Sequence, residues 1–294
     1  MALPSGLATK SPAAESAPVE AAAGSDPDAL ITAGNVAGAG PFVILCDHAS
    51  NRIPDEYRPF GFAADALQTH IAWDPGALAV ARLLSARFDA PLFWPDVSRL
   101  VIDCNRPLDA ASLIVVESEG RAVPANVGLS AAERARRIER IHAPYHDAVD
   151  ACLARRRAAG LPTVLIAVHS FTPVYLAKSR PWQVGIVFDE DARLANALIS
   201  GLTADPALIV GVNEPYAPAD LVYYTVSRHA RPHGLPAAMI EIRNDEIGDE
   251  LGQRRWADRL ADILLGLTPG LLGLNKLWCD PCKWNRIFSD LWGV

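Results

Sequence analysis

Three residues that could do acid-base or metal chemistry follow apolar runs that are typical of buried strands: His48, His169 and Glu241. The runs cover residues 42–45, 163–168 and 237–240. In open α/β sheets, ligands bind beyond the carboxyl ends of the strands. Three parallel strands would therefore bring the two histidines and the glutamate to one edge of a sheet. The sequence predicts a functional site at that edge.

The two histidines suggest a metal site. Imidazole is the commonest metal ligand in proteins, and catalytic zinc usually takes three protein ligands and leaves one position for water. His48 and His169 would supply two ligands. A carboxylate would supply the third, with Asp74 in the segment HIAWDPGA as the first choice and Asp47 as the second. The alternative is that both histidines are ordinary hydrogen-bonded residues at strand ends.

Glu241 interrupts an apolar strand, where a charge is costly unless it is paired or functional. A buried glutamate beside a metal could deprotonate a bound water and later protonate a leaving amine. The alternative is a structural ion pair with Arg243 or another arginine.

Arginines near the predicted strand ends point to an anionic ligand, since a planar guanidinium binds a carboxylate bidentately. These arginines are Arg99, Arg106 and Arg243. His229, in the segment TVSRH, could approach the same site from a loop. Taken singly, each arginine could equally be a surface or salt-bridge residue. Together they predict a small anionic substrate.

Composition excludes several other classes of partner. The 27 basic and 34 acidic residues give a net charge of -7, and no basic block is present to attract a nucleic-acid backbone. No apolar run reaches the ~20 residues that span a bilayer, and the N-terminus lacks the order of a secretory signal. We therefore expect a cytoplasmic protein that binds neither nucleic acid nor membrane. The 5 cysteines suit reduced thiols better than a disulfide framework.

Strand and helix signals alternate along the chain and predict one α/β domain with a mostly parallel, mixed sheet and helices on both faces. Strands are predicted at residues 42–46, 92–94, 100–104, 164–168, 184–188, 207–210 and 237–242. Helices are predicted at 75–88, 192–202 and 250–267, and a longer one begins at the capping box of Ser130 and Glu133. Pro144 is expected to kink that long helix.

The composition divides the chain into three parts. Residues 1–40 are rich in Ala, Pro and Ser and predict a disordered leader. Residues 41–268 form the predicted catalytic domain. Residues 269–294 form a tail of unknown role that contains three tryptophans and the pair Cys279 and Cys282.

Eight motifs occur in the order expected of one enzyme family: CDHASNRIP, HIAWDPGA, SRLVIDCNRP, PYH, HSFTPV, RPW, NEPY and IEIRND. With them, the chain resembles the N-formylglutamate amidohydrolases over residues 42–265. The resemblance implies metal-dependent hydrolysis of an N-acyl amino acid. N-formyl-L-glutamate is the first candidate substrate, and Zn²⁺ is the expected cofactor.

That family is similar in fold to the zinc carboxypeptidases, and this similarity implies roles for particular residues. His169-Ser170 resembles their zinc-binding His-Ser pair, Glu241-Ile242-Arg243 their catalytic glutamate segment, and Asn105-Arg106 their carboxylate-binding pair. One feature departs from the pattern. Those enzymes have a glutamate ligand three residues after the first histidine, where this chain has Asn51. The third ligand must come from elsewhere in the chain.

Two alternative functions follow from the same residues. The first is a zinc carboxypeptidase or deacylase that acts on another acyl-amino acid or a short peptide. The second is a non-catalytic binding protein that keeps the arginine pocket and holds no metal.

Overall fold

A mixed seven-stranded sheet forms the centre of the protein, for which a computed structural model describes residues 29–271. The strands are β1 (Ile31–Gly34), β2 (Phe42–Leu45), β3 (Leu92–Pro95), β4 (Val164–Phe171), β5 (Val184–Val187), β6 (Val210–Val212) and β7 (Ala237–Arg243). Their order across the sheet is β1-β3-β2-β4-β7-β5-β6. The pairs β1/β3 and β7/β5 are antiparallel and the other pairs are parallel, which confirms the predicted α/β class.

Helices cover both faces of the sheet. They are α1 (Ala77–Phe88), α2 (Ala131–Arg137), α3 (Ala143–Ala158), α4 (Arg193–Thr203), α5 (Tyr224–Ala230) and α6 (Glu250–Leu271). Helices α1, α4 and α6 pack on one face, and α3 and α5 pack on the other. No helix in residues 29–271 is both long and apolar enough to cross a membrane.

The side chains of the central strands alternate between two hydrophobic cores. In β4, Val164, Ile166 and Val168 face α1 and α6, whereas Leu165 and Ala167 face α3 and α5. Because successive side chains point to opposite faces of a sheet, His169 continues the second series. The strand is buried along its whole length, as expected for a parallel strand covered on both faces.

Two predicted strands differ from the structure. Residues 100–104 form turns rather than a strand, although Leu100 and Val101 are buried. Side chains satisfy the backbone there, because Asn126 donates to the Leu100 carbonyl at 2.8 Å and Arg137 donates to the Val101 carbonyl at 2.8 Å. The strand predicted at 207–210 lies at Val210–Val212 instead.

The predicted leader also needs a correction, because its last residues are folded. Strand β1 pairs with β3, and the buried Arg156 donates to the carbonyls of Gly38 at 3.0 Å and Gly40 at 2.5 Å. Residues 1–28 of the leader and residues 272–294 of the tail lie outside the described residues.

The long helical region begins as predicted, since the Ser130 hydroxyl accepts the Glu133 N–H at 3.1 Å. A π-helical segment, Ile138–His142, joins α2 to α3. Pro144 lies in the first turn of α3 and lacks the N–H of a helical hydrogen bond, and Arg140, four residues earlier, lies within the π-helical segment. The irregular segment therefore includes the residue whose carbonyl a proline leaves without its helical partner.

Candidate active site

A cavity of about 180 Å³ opens at the carboxyl ends of β2, β4 and β7. Glu241 in β7 is the register partner of His169 in β4, so the two side chains are neighbours on one face of the sheet. His48 follows β2 by three residues. The predicted candidates that line the cavity are His48, Asp74, Arg99, Asn105, Arg106, His169 and Glu241.

Two histidines and one carboxylate converge in this cavity in a way that suits a metal ion. Ligand atoms of His48, Asp74 and His169 all lie within 4.8 Å of one another, and all three residues are buried. Oδ2 of Asp74 lies 3.3 Å from Nδ1 of His48 and 2.8 Å from Nδ1 of His169. These two imidazole nitrogens and the carboxylate oxygen form a donor set that fits zinc.

A second carboxylate holds the far side of each imidazole. Nε2 of His48 donates to Oδ1 of Asp103 at 2.8 Å, and Nε2 of His169 donates to Oδ2 of Asp47 at 3.0 Å. Tyr145 also donates to Asp47 at 2.8 Å. In a neutral ring such a partner holds the proton on Nε2 and leaves Nδ1 for a metal, and it raises the basicity of a metal-binding imidazole.

Asp47, the second choice for the third ligand, therefore lies behind His169 and outside the converging set of donors. Its hydrogen bond from His169 lowers the pKa of the Asp47 carboxyl despite its burial. The histidine side chains also lower the pKa of Asp74. Both groups remain ionised carboxylates, one facing the cavity and one orienting a histidine.

Local turns place Asp74 opposite the strand ends. The Asp74 N–H donates to the His48 carbonyl at 2.9 Å, and Gly76 follows with φ +81° before α1 begins. A Cβ at Gly76 would lie 2.4 Å from the Ile247 carbonyl oxygen, so only glycine fits there. Ser170, within β4, clamps the same turn by donating to the Pro75 carbonyl at 2.8 Å.

Glu241 is only 3% exposed, and its Oε2 atom has no hydrogen-bond partner among the described residues. Burial is the main cause that raises the pKa of Glu241 to about 7, against the opposing influence of His169. The ion pair considered for Glu241 and Arg243 is not formed. Arg243 instead pairs with Asp245 at 2.7 Å and Glu246 at 3.4 Å.

Arg99 and Arg106 both line the cavity and share one carboxylate. Arg99 donates to Oδ2 of Asp103 at 2.8 Å, and Nη1 of Arg106 lies 3.7 Å from the same atom. Arg106 also donates through Nε to Ser112 at 3.2 Å. These guanidinium groups are therefore fixed in place and available to an anion in the cavity.

Three predicted substrate-binding residues have side chains that are bound to other parts of the protein. The Asn105 amide lines the cavity, but it donates to the Val222 carbonyl and accepts from the N–H of Thr225, in the first turn of α5, at 3.0 Å. Arg243 is absent from the cavity lining, as described above. His229 is fully buried behind the cavity, where it contacts His146 and Asp150.

Several residues that line the cavity were not predicted from the sequence. Asp103 binds His48 and both arginines. The sequence could have indicated it, because it follows the apolar residues 100–102 just as Asp47 follows β2. His70 and Glu119 also line the cavity and bind each other through Nε2 and Oε1. No local sequence pattern could predict the contact between His70 and Glu119, since 49 residues separate them.

Known proteins resemble this chain in sequence and in fold. The profile of the family described as N-formylglutamate amidohydrolase matches residues 40–248. A gene product of Agrobacterium tumefaciens of known crystal structure is 43% identical; the match covers 82% of this chain and 96% of that one, with a TM-score of 0.80. No curated protein matches the sequence.

A second solved structure, N-formylglutamate amidohydrolase from Ralstonia eutropha JMP134, shares the fold at 20% identity. The match covers 82% of this chain and 99% of that one, with a TM-score of 0.61. With the profile match over residues 40–248 and the Agrobacterium structure, the assignment is secure. The chain belongs to the N-formylglutamate amidohydrolase family and is an amidohydrolase.

Proposed function

We propose that this chain is a metal-dependent enzyme that hydrolyses the amide bond of an N-acyl amino acid. N-formyl-L-glutamate is the first candidate substrate, and formate and L-glutamate are the products. One observation carries the proposal: the converging donors of His48, Asp74 and His169 share a cavity with Glu241, whose Oε2 atom is buried and unpaired. Zinc is the proposed metal because the donor set is two imidazoles and a carboxylate.

A zinc ion bound by these three residues would supply a Lewis acid and a water whose pKa is lowered toward ~7. We infer that Glu241 accepts the proton of that water, since it lines the same cavity and its pKa of about 7 lets it hold or release a proton near neutral pH. The oxygen of the water adds to the formyl carbon, forming the new C–O bond. The C–N bond then breaks as Glu241 gives its proton to the departing amine nitrogen, so that formate and the free amine result.

The arginines would hold the substrate in the orientation that this chemistry requires. Arg106 and Arg99 face the cavity from the side of Asp103, and each can bind one substrate carboxylate. Asn105 supports Arg106 through its backbone carbonyl, which accepts from Nη1 of Arg106 at 2.8 Å. Its side chain is bound to Val222 and to Thr225 of α5. Arg243 and His229 have no part in binding substrate in this proposal.

The variant Glu241→Gln tests the assignment, since it keeps the side-chain shape and removes the base. We expect kcat to fall by about 10²–10⁴-fold, the usual contribution of a general base, while zinc content and substrate binding are retained. Glu139→Gln on the exposed surface of the π-helical segment is the matched control. Wild-type turnover by Glu241→Gln would refute the role of this residue.

A panel of N-acyl amino acids tests the choice of substrate. N-formyl-L-glutamate should be cleaved faster than N-acetyl-L-glutamate and faster than N-formyl amino acids with neutral side chains. A preference for a bulkier acyl group or for a short peptide would favour the carboxypeptidase or deacylase alternative. Binding of these compounds without any turnover would favour a binding protein.

A further inference from the structure

Two buried histidines and one half-exposed aspartate form a hydrogen-bonded chain behind the cavity. Nδ1 of His229 lies 2.8 Å from Oδ1 of Asp150, and Nε2 of His229 lies 2.8 Å from Nδ1 of His146. Nε2 of His146 lies 3.1 Å from the carbonyl oxygen of Cys104. The chain therefore runs from the Asp150 side chain, which is 48% exposed, to the backbone beneath the cavity.

Counting protons along this chain shows that its two rings hold one proton more than two neutral imidazoles do. The Cys104 carbonyl and the Asp150 carboxylate can only accept, so the ring nitrogens facing them must both carry a proton. The contact between the two rings requires a third proton. Two neutral imidazoles supply one N–H each, so the pair of His146 and His229 carries a positive charge.

The extra proton belongs to His229, beside Asp150. Burial lowers the pKa of His146 to about 2, which keeps that ring neutral. Burial also lowers the pKa of His229 overall, and the Asp150 carboxylate offsets only part of this effect. The hydrogen bond to Asp150 and the proton count, rather than the pKa, assign the extra proton to this ring. Arg228 also faces the pair, since its Nη2 lies 3.6 Å from Oδ2 of Asp150, and its charge lowers the pKa of both rings. The His142 ring lies 4.4 Å from the His146 ring, and Asp47 raises the pKa of both rings. Among the described residues, Asp150 is the carboxylate that contacts the pair and stabilises the imidazolium.

The chain ends on the segment that carries the substrate-binding arginine. The carbonyl of Cys104 accepts from His146 and from the Thr225 hydroxyl at 3.3 Å. The carbonyl of Arg106 accepts from Nε2 of His142 at 3.0 Å. Residues 104–106 are therefore held from beneath, by α5 and by the junction of the π-helical segment with α3, while the Arg106 side chain faces the cavity.

We propose that Asp150, His229 and His146 act as a charged positioning relay, which fixes the backbone of residues 104–106 and so sets Arg106 for the carboxylate of the substrate. The three are positioning residues, since none of them lines the cavity. The part of the proposal that concerns substrate rests on the proposed function. The protonation of the pair does not.

The first test counts ring protons by NMR on the full-length protein labelled with ¹⁵N in its histidine rings. We expect three of the four ring nitrogens of His146 and His229 to carry protons in the wild type. In Asp150→Asn, the side-chain NH₂ can donate to Nδ1 of His229, and the count should fall to two. Asp147→Asn, at an exposed position on the same helix, is the matched control and should keep three. A count of two in the wild type would overturn the relay.

The second test separates KM from kcat with N-formyl-L-glutamate. Loss of one charge-assisted hydrogen bond should raise KM of Asp150→Asn on the order of tenfold, with kcat nearly unchanged because Glu241 and the metal ligands are not touched. Asp147→Asn should match the wild type, and Asp150→Glu, which restores the charge, should recover most of the loss. Equal KM values for Asp150→Asn and Asp147→Asn would overturn the positioning role.

The two tests fail independently. If the wild type does not hydrolyse N-formyl-L-glutamate, the proposed function fails, yet the ring-proton count still decides the relay. In that case the affinity of the same variants for glutarate, a dicarboxylate, is measured by calorimetry and is used instead of KM to compare how tightly they bind a carboxylate. Unchanged glutarate affinity in Asp150→Asn would again overturn the positioning role.

Discussion

The variant Asp103→Asn should weaken metal binding although Asp103 lines the site behind a histidine and is not itself a proposed ligand. In the wild type, Oδ1 of Asp103 accepts from Nε2 of His48 at 2.8 Å and from the Asn105 N–H at 2.9 Å. Oδ2 accepts from Arg99 at 2.8 Å. The three partners of Asp103 all donate hydrogen bonds, and its ionised carboxylate accepts all three.

An asparagine cannot satisfy these three donors in either orientation. With its oxygen toward His48 and Asn105, its NH₂ group faces the Arg99 guanidinium, so two donors oppose each other. With the amide turned around, the NH₂ group faces Nε2 of His48, and that ring takes the tautomer whose Nδ1 carries a proton and cannot bind a metal. Loss of one hydrogen bond between charged groups costs about 1.5–3 kcal/mol.

That cost corresponds to a loss in zinc affinity of about 10–100-fold, which is also the usual effect of removing a partner that orients a metal ligand. The affinity can be measured by competition with a chromophoric chelator. Asp109→Asn is the matched control, because Asp109 is exposed in the next turn of the chain. Wild-type zinc affinity in Asp103→Asn, equal to that of the control, would refute the proposed orientation of His48.

Three further predictions concern stability and are measured by chemical or thermal unfolding. Arg156→Met should cost about 3 kcal/mol or more, because it leaves the buried carbonyl of residue 38 and the partly buried carbonyls of residues 40 and 162 without this donor; a loss under 1 kcal/mol would show that residues 38–40 are held by other contacts. Leu84→Ala should cost about 2–5 kcal/mol, since this α1 side chain is fully buried, and wild-type stability would contradict its place in the core. Glu133→Gln should cost about 1 kcal/mol at pH 7. Hydrogen bonds from Arg136 lower the pKa of Glu133, so its stabilisation exists above the unfolded-state pKa and disappears as the pH falls through the lower folded-state value; an equal loss at pH 2 and pH 7 would contradict the ion-pair origin.

The sequence predicted the sheet and the edge that holds the candidate site because continuous apolar runs and the alternation of strand and helix signals are local. Strands β2, β4 and β7 were recognised from continuous apolar runs, and their parallel order then brings His48, His169 and Glu241 together. Strand β1 was missed because four residues with one small side chain and one glycine carry no such pattern. Pairing with β3 makes it a strand, and pairing is not a local property.

The segment 100–104 shows a different limit of sequence reasoning. Its apolar residues are buried, as a strand would be, but the side chains of Asn126 and Arg137 satisfy their backbone groups. Burial and strand formation are therefore separate outcomes. The pattern of apolar residues predicts only burial.

The choice between the two aspartates could not be made from the sequence. Asp47 directly precedes His48 in the sequence, and Asp74 lies at a turn before α1. Only the folded backbone decides which of the two carboxylates reaches Nδ1 of both His48 and His169. Likewise, His229 and Arg243 occupy plausible positions in the sequence. In the structure His229 pairs with Asp150 and Arg243 pairs with Asp245, so neither side chain reaches the cavity.

The most direct test of metal-dependent hydrolysis combines metal analysis and activity on one purified sample. Zinc content and formate release from N-formyl-L-glutamate would be measured before and after treatment with a chelator, and again after zinc is restored. We expect one zinc per chain, loss of formate release with loss of zinc, and recovery when zinc is added back. Formate release that persists at full rate in metal-free protein would contradict a metal site at His48, Asp74 and His169.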